Sequence, residues 1–340
     1  MLRLDVLICV AYAIPTWPNR LSGDSRELIY TMQAMTEHDS DEDTTRDGLF
    51  SALVAYVLWG LLPIYFVLVR DVGSFEVLVH RIIWALPFGA IIIQLRRQWP
   101  EVLSALRHRK MLTYLTVSAA LIAGNWFVYI IAVQREQIFQ ASLGYYINPL
   151  LFATIGVFAL GERLRTPQLA AVVLAAVGVA VLTFSGGQFP AIALFLGASF
   201  TLYGYIRKKV VIGGMPGLFV ETMVLFPLSA LYLGWLVSQG TATFSVVAPA
   251  MSALLIVAGP ITVIPLLFFA LAARRLNLTT VGMMQFIAPT LQFLVGFYYG
   301  EVLTTAHVIC FSCIWVAVLV FSWDAWRSSR RVQDATVLRS

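Results

Sequence analysis

Ten runs of about twenty mostly apolar residues, separated by short links, constrain this chain more than any other feature. A segment of that length crosses the hydrocarbon of a bilayer as a helix, because lipid offers no partner for a backbone N–H or C=O. The runs lie near 49–69, 75–95, 112–133, 138–160, 167–185, 190–206, 217–237, 249–273, 279–299 and 305–323. They predict an all-α integral membrane protein with ten transmembrane helices. Composition agrees, with 59% hydrophobic and 12% charged residues, about half the charged share of a soluble domain. The net charge of +5 does not imply nucleic acid, since the basic residues fall in short clusters between apolar runs.

Those clusters set an orientation. Positive charge in short links stays in the cytoplasm. One set of links and the tail holds Arg96, Arg97, Arg107, Arg109, Lys110, Arg163, Arg165, Arg207, Lys208, Lys209, Arg274, Arg275, Arg327, Arg330, Arg331 and Arg339. The alternate set holds only Arg70 and Arg135. Both termini of this multi-pass protein are therefore expected in the cytoplasm.

Residues 1–48 read differently from the rest. The stretch MLRLDVLICVAYAIP carries Asp5 and a single basic residue before its apolar part, so it makes a poor signal peptide. The acidic text from Thr36, TEHDSDEDTTRDG, reads as disordered. This 1–48 tail is expected to be dispensable, with translation starting at Met32 or Met35. Residues 326–340 form a basic cytoplasmic tail.

Shifting the sequence by 140 residues brings its halves into register. Arg81 falls on Glu221, Pro87 on Pro227, Tyr129 on Phe269, Ala132 on Ala272 and Pro149 on Pro289. The Gly-Glu pairs at 161–162 and 300–301 match with a one-residue slip. Repeats over 49–186 and 187–325 thus hold five spans each. An odd number per repeat turns the second copy upside down, the architecture of many alternating-access carriers.

The segments LWGLLPIYF, EVLVHRIIW, SLGYYINPLLFATIGVFALGERL and FIAPTLQFLVGFYYGE resemble the EamA-like drug/metabolite transporters, and among them the RarD-type branch linked to chloramphenicol sensitivity. The resemblance covers about residues 48 to 325. It implies two inverted five-helix repeats around a central substrate cavity. It also implies a secondary transporter, and export as the direction.

Ionisable groups inside spans are the natural site candidates, since each costs on the order of 3 kcal/mol at mid-membrane. Glu76 lies at headgroup level, where a residue in interfacial water is as good a reading as a functional one. His80 and Arg81 lie roughly 8 to 9 Å deeper, from the helical rise. Glu76, His80 and Trp84 share a helix face at i,i+4 spacing, while Arg81 points about 140° away from Glu76. Arg81 is read as a cavity-facing cation for a carboxylate or other anionic group. His80 is either a proton relay or a packing group. Glu221, and second to it Glu76, is the proton-coupling candidate.

Near the midplane, Asn125, Trp126, Tyr145, Tyr146, Asn148, Gln285 and Gln292 are pathway candidates because they neighbour Pro149 and Pro289, where a helix ladder is interrupted. Pro87 and Pro227 join those two as expected hinges or helix breaks. The aromatic content suits amino-acid-like compounds, small metabolites or amphipathic drugs. His307 is read as packing, and the two Gly-Glu pairs as caps or hinges.

Enzymatic readings find little support in the text. The sequence contains no HExxH, GxSxG or phosphate-loop motif, and its four histidines are scattered over different segments. Cys310 and Cys313 form a CxxC without a second half-site, so no metal and no cofactor is expected. The expected partners are a small-molecule substrate, the lipid bilayer and protons. A non-transporting membrane sensor is the alternative, with a membrane enzyme behind it.

Overall fold

A computed structural model describes residues 23–151, 165–185, 189–244, 249–276 and 278–337. The chain divides into two compact units, Met1–Asp47 and Gly48–Ser340. Among the described residues every regular element is a helix: α1 Gly23–Leu68, α2 Ser74–Leu95, α3 Trp99–Arg107, α4 Arg109–Gln134, α5 Ile138–Tyr146, α6 Thr166–Phe184, α7 Ala191–Lys208, α8 Gly214–Ser238, α9 Pro249–Arg275, α10 Leu278–Met284, α11 Ile287–Tyr298 and α12 Thr305–Val337.

Among the described residues eight stretches are long and apolar enough to cross a membrane: Thr45–Leu68, Ser74–Leu95, Arg109–Gln134, Thr166–Phe184, Gly214–Ser238, Pro249–Arg275, Thr280–Tyr298 and Thr305–Asp324. Two expected spans are not among them. The one near 138–160 runs into residues 152–164, outside the described residues, as does the Gly-Glu pair at 161–162. The other is α7, whose last turn carries Arg207 and Lys208. One local expectation is corrected. Residues 36–48 have helical backbone rather than disorder, because 24–47 contains neither Pro nor Gly to stop a helix. The link at 96–111 also contains α3, with Val102 and Ala105 turned to the core.

The surface is apolar in the way a lipid-facing bundle requires: Leu228, Leu231, Leu319 and Phe297 are all exposed. Inside, α2 packs on α8 and α9, α4 and α5 on α7, α5 on α11, and α6 on α12. Small residues set how close these helices come. A Cβ on Gly259 of α9 would sit 2.4 Å from the Trp84 carbonyl oxygen of α2. One on Gly144 of α5 would sit 2.7 Å from the Ala193 carbonyl of α7. On α6, Gly178 faces Cys310 and Cys313 of α12, so the CxxC lies in a helix contact.

Four helices stop abruptly by the same geometry. Arg97 (φ 54), Glu136 (φ 58), Gly240 (φ 67) and Gly300 (φ 83) are left-handed. In each case the next N–H reaches back to close the turn: Gln98 to Ile93 O, Gln137 to Ala132 O, Thr241 to Leu236 O and Glu301 to Gly296 O. These stops let short links return the chain to the bundle.

The helix ladder is interrupted at Ile147, between α5 and the helical residues 148–151, and at 285–286, between α10 and α11. Both breaks precede a proline, Pro149 and Pro289, which lacks the N–H that would bond Tyr145 O or Gln285 O. Pro87 and Pro227 lie inside uninterrupted helices α2 and α8. The expectation of a break there is corrected, since their neighbours carry the helix through the one lost bond.

Candidate functional site

Three buried polar clusters run along α2 and its neighbours. The central one surrounds Arg81, which is only 4% exposed. Its Nε donates to Thr262 Oγ1 of α9 at 2.8 Å. The guanidinium lies over Trp126 of α4, 4.1 Å from the ring centroid, and 5.8 Å from that of Phe66 on α1. At these distances the aromatic faces offset part of the desolvation of the charge. Tyr145, Tyr65 and Tyr129 lie around it. No carboxylate lies within ion-pair distance of Arg81 among the described residues.

The second cluster is at the start of α2. Glu76 is buried rather than wet, which corrects its reading as a residue in interfacial water. The link after α8 folds over it: Thr243 donates its backbone N–H to Oε1 at 2.7 Å and its hydroxyl to Oε2 at 3.0 Å. One turn deeper, His80 stacks on Phe244 with ring centroids 5.2 Å apart. Trp84 Nε1 donates to His80 Nδ1 at 3.3 Å, which leaves the neutral ring's proton on Nε2. That nitrogen stands 3.9 Å from Glu76 Oε1, too far for a hydrogen bond. The shared face of Glu76, His80 and Trp84 is therefore real in space, and Arg81 points elsewhere.

The third cluster is near the other end of the bundle. Glu221 of α8 is fully buried. It accepts from Ser118 of α4 at 2.6 Å and from Tyr203 of α7 at 3.3 Å. Arg207 Nε lies 3.5 Å from Glu221 Oε1. The guanidinium of Arg207 rests on Gly217, where no Cβ could fit without displacing it.

Most of the other candidates have their polar atoms committed to neighbouring helices. Asn125 donates to Leu196 O and Ser199 Oγ and accepts from Tyr145. Tyr146 bonds Thr290, and Gln292 donates to Trp59 O. In the orientation that satisfies its bonds, the Asn148 amide donates to Gly197 O and Gly144 O. Gln285 sits in the 285–286 break, half-buried. His307 pairs with Thr304 at the start of α12. Sequence reasoning missed Arg207, Thr243, Thr262, Ser118 and Tyr203. Arg207 was counted as a link charge, and the rest are ordinary residue types whose roles arise only from contacts distant in sequence.

Comparison with known proteins gives this geometry a family. Residues 46–184 match the model of the EamA-like transporter family. Protein RarD of Salmonella typhi is 42% identical over 292 residues, covering 86% of this chain and 99% of the relative. An uncharacterized transporter of Bacillus subtilis, YojE, is 39% identical over 82% of this chain and 95% of its own length. A solved crystal structure superposes with a TM-score of 0.53 at 19% identity, covering 82% of this chain and 97% of the other, so the likeness there is one of fold. Near-complete coverage at such identity, on a multi-pass helical bundle, means that the chain belongs to the RarD family of EamA-like membrane transporters.

Proposed function

We propose that this protein is a secondary transporter that moves small molecules by alternating access around Arg81. The observation that carries the reading is a buried cation without an acidic partner among the described residues, set between two closed polar clusters. The Glu76–Thr243 contact with the His80–Phe244 stack forms one closure, and the Glu221–Arg207–Ser118–Tyr203 cluster forms the other. Opening one while the other stays shut would expose Arg81 to each side in turn.

Ten spans in two inverted five-helix repeats, 49–186 and 187–325, supply the machinery. Two features support the inversion. The breaks at Ile147 and at 285–286 both lie just before prolines 140 residues apart, Pro149 and Pro289. Packing partners also exchange as a two-fold demands: α2 with α9 matches α8 with α4, and α2 with α4 matches α8 with α9. The charge asymmetry of the links supports an orientation with both termini in the cytoplasm of a bacterial inner membrane and the Glu76 closure outside. The direction is export. The coupling ion is a proton taken up by Glu221, whose neutralisation would release Arg207.

Counterflow in proteoliposomes tests this without assuming an energy source. Liposomes loaded with an unlabelled substrate should take up its labelled form saturably, and less so with Arg81→Ala. Absence of counterflow for a broad panel of small metabolites, amino acids and amphipathic drugs in folded protein would overturn the carrier reading. Transport by Glu221→Gln with unchanged pH dependence would remove Glu221 from coupling.

A further inference from the structure

The arrangement of donors around Arg81 selects one chemical class of substrate. Tyr65 spends its single proton on Leu254 O at 3.0 Å, and Tyr145 spends its own on Asn125 Oδ1 at 2.9 Å. Each hydroxyl therefore turns only lone pairs toward its surroundings. Tyr129 differs. Its hydroxyl is buried, its residue is 2% exposed, and it has no hydrogen-bond partner. A buried hydroxyl left unpaired is costly, and so is a buried cation without an anion. Both are neighbours of one ring, since Phe66 lies 5.8 Å from the Arg81 guanidinium and 5.8 Å from the Tyr129 ring, and Tyr145 packs on Tyr129 at 5.7 Å.

We infer that Arg81 and Tyr129 together hold a single carboxylate, carried on an apolar or aromatic body without a free amine. Arg81 has used Nε on Thr262, which leaves its terminal nitrogens for one carboxylate oxygen pair. Tyr129 donates to the same group. A carboxylate matches this set because it only accepts. An ammonium finds only the hydroxyl lone pairs of Tyr65 and Tyr145 and no carboxylate near Arg81 among the described residues, and the adjacent charge repels it. The rest of the surroundings are aromatic, from Trp126, Phe66 and Tyr145. Tyr65 also lines an apolar groove of about 350 Å³ between α1 and α9, with Leu62 and Ile261. An apolar body suits both surfaces. This substrate class rests on the alternating-access reading for its route across the membrane, but not for binding itself.

Equilibrium binding to the protein in lipid nanodiscs, read by Trp126-sensitive tryptophan fluorescence, separates the possibilities. The probes are 3-phenylpropanoate, its amide, phenylalanine and phenethylamine. Saturable binding of 3-phenylpropanoate at least about tenfold tighter than the amide is expected, from the strength of a charge-assisted pair. Phenylalanine should bind more weakly than 3-phenylpropanoate, and phenethylamine not detectably. Arg81→Gln should abolish the preference for carboxylate over amide. Tyr129→Phe, which keeps the ring and the fold, should weaken the carboxylate alone by about three- to tenfold, the loss of one hydrogen bond. Equal binding of acid and amide, tighter binding of phenylalanine, or no saturable response to 3-phenylpropanoate would overturn the inference. Counterflow of amines that is insensitive to Arg81→Gln would also overturn it while leaving the carrier reading intact. Carboxylate binding without any counterflow would uphold the site and reject the carrier.

Discussion

Glu301 Oε2 accepts the backbone N–H of Phe139 at 2.8 Å, and its other oxygen accepts that of Ile138, so the link before α12 caps the first turn of α5. Burial pushes the Glu301 carboxyl up to about 7, against the two N–H groups that favour its ionised form, with Glu136 nearby adding to the rise. The folded protein therefore holds a proton here that the unfolded chain has released between about pH 4.5 and about 7. Stability contributed by the protonated form is fully present below pH 4.5 and is lost as pH rises through 7. Thermal unfolding in detergent should show the midpoint falling by a few degrees across that window, on the order of 1 kcal/mol after solvent screening. In Glu301→Gln that slope should flatten. An equal slope in the variant would assign the dependence to another group.

The Arg207–Glu221 pair should behave as a unit. Arg207→Met leaves the Glu221 carboxylate buried without its cation and should cost about 3–5 kcal/mol. Glu221→Gln should cost less, because Ser118 and Tyr203 can still bond the amide. The double variant should be more stable than the sum of the two losses, by roughly 1–3 kcal/mol of coupling. Additive losses in chemical unfolding would mean that the 3.5 Å contact carries no net interaction.

Gly259→Ala should force α9 away from α2, because the new methyl would meet the Trp84 carbonyl at 2.4 Å. Overpacking of this kind costs about 1–3 kcal/mol. Gly282→Ala in α10, with nothing within 4 Å of its Cβ, should be neutral or gain up to about 1 kcal/mol in helix propensity. Melting temperatures of the two variants side by side check both, and equal values would show that α2 and α9 yield freely.

Arg97→Gly and Glu136→Gly should each stabilise the protein by up to about 1 kcal/mol. Both residues hold a left-handed backbone at a helix stop, a conformation that costs an L-residue about 1–2 kcal/mol and a glycine little. A loss of stability would show that these side chains make contacts worth more than the relief.

Much of the candidate site was legible in the sequence as position but not as partnership. Arg81, Glu221 and Glu76 stood out because ionisable groups inside apolar runs are expensive, and the structure buries all three. Their partners did not stand out. Thr243 covers Glu76 from a link 167 residues away, and Thr262 meets Arg81 from 181 residues away. Such contacts depend on how helices are rotated against one another, which periodicity does not fix. The prolines show the same limit: four looked alike, yet the ladder is interrupted only beside Pro149 and Pro289 among them. Arg207 lay in a basic cluster that read as a link, and its inward reach follows from the absence of a side chain at Gly217.

One consequence follows from how α5 is held. Glu301 fastens its first turn, and Gly144 presses it against the α7 backbone one turn before the interruption at Ile147. This half of the span is a short, stiff post with a fixed footing and a clamped shaft. The joint at Ile147 therefore has its near side anchored by two contacts outside it.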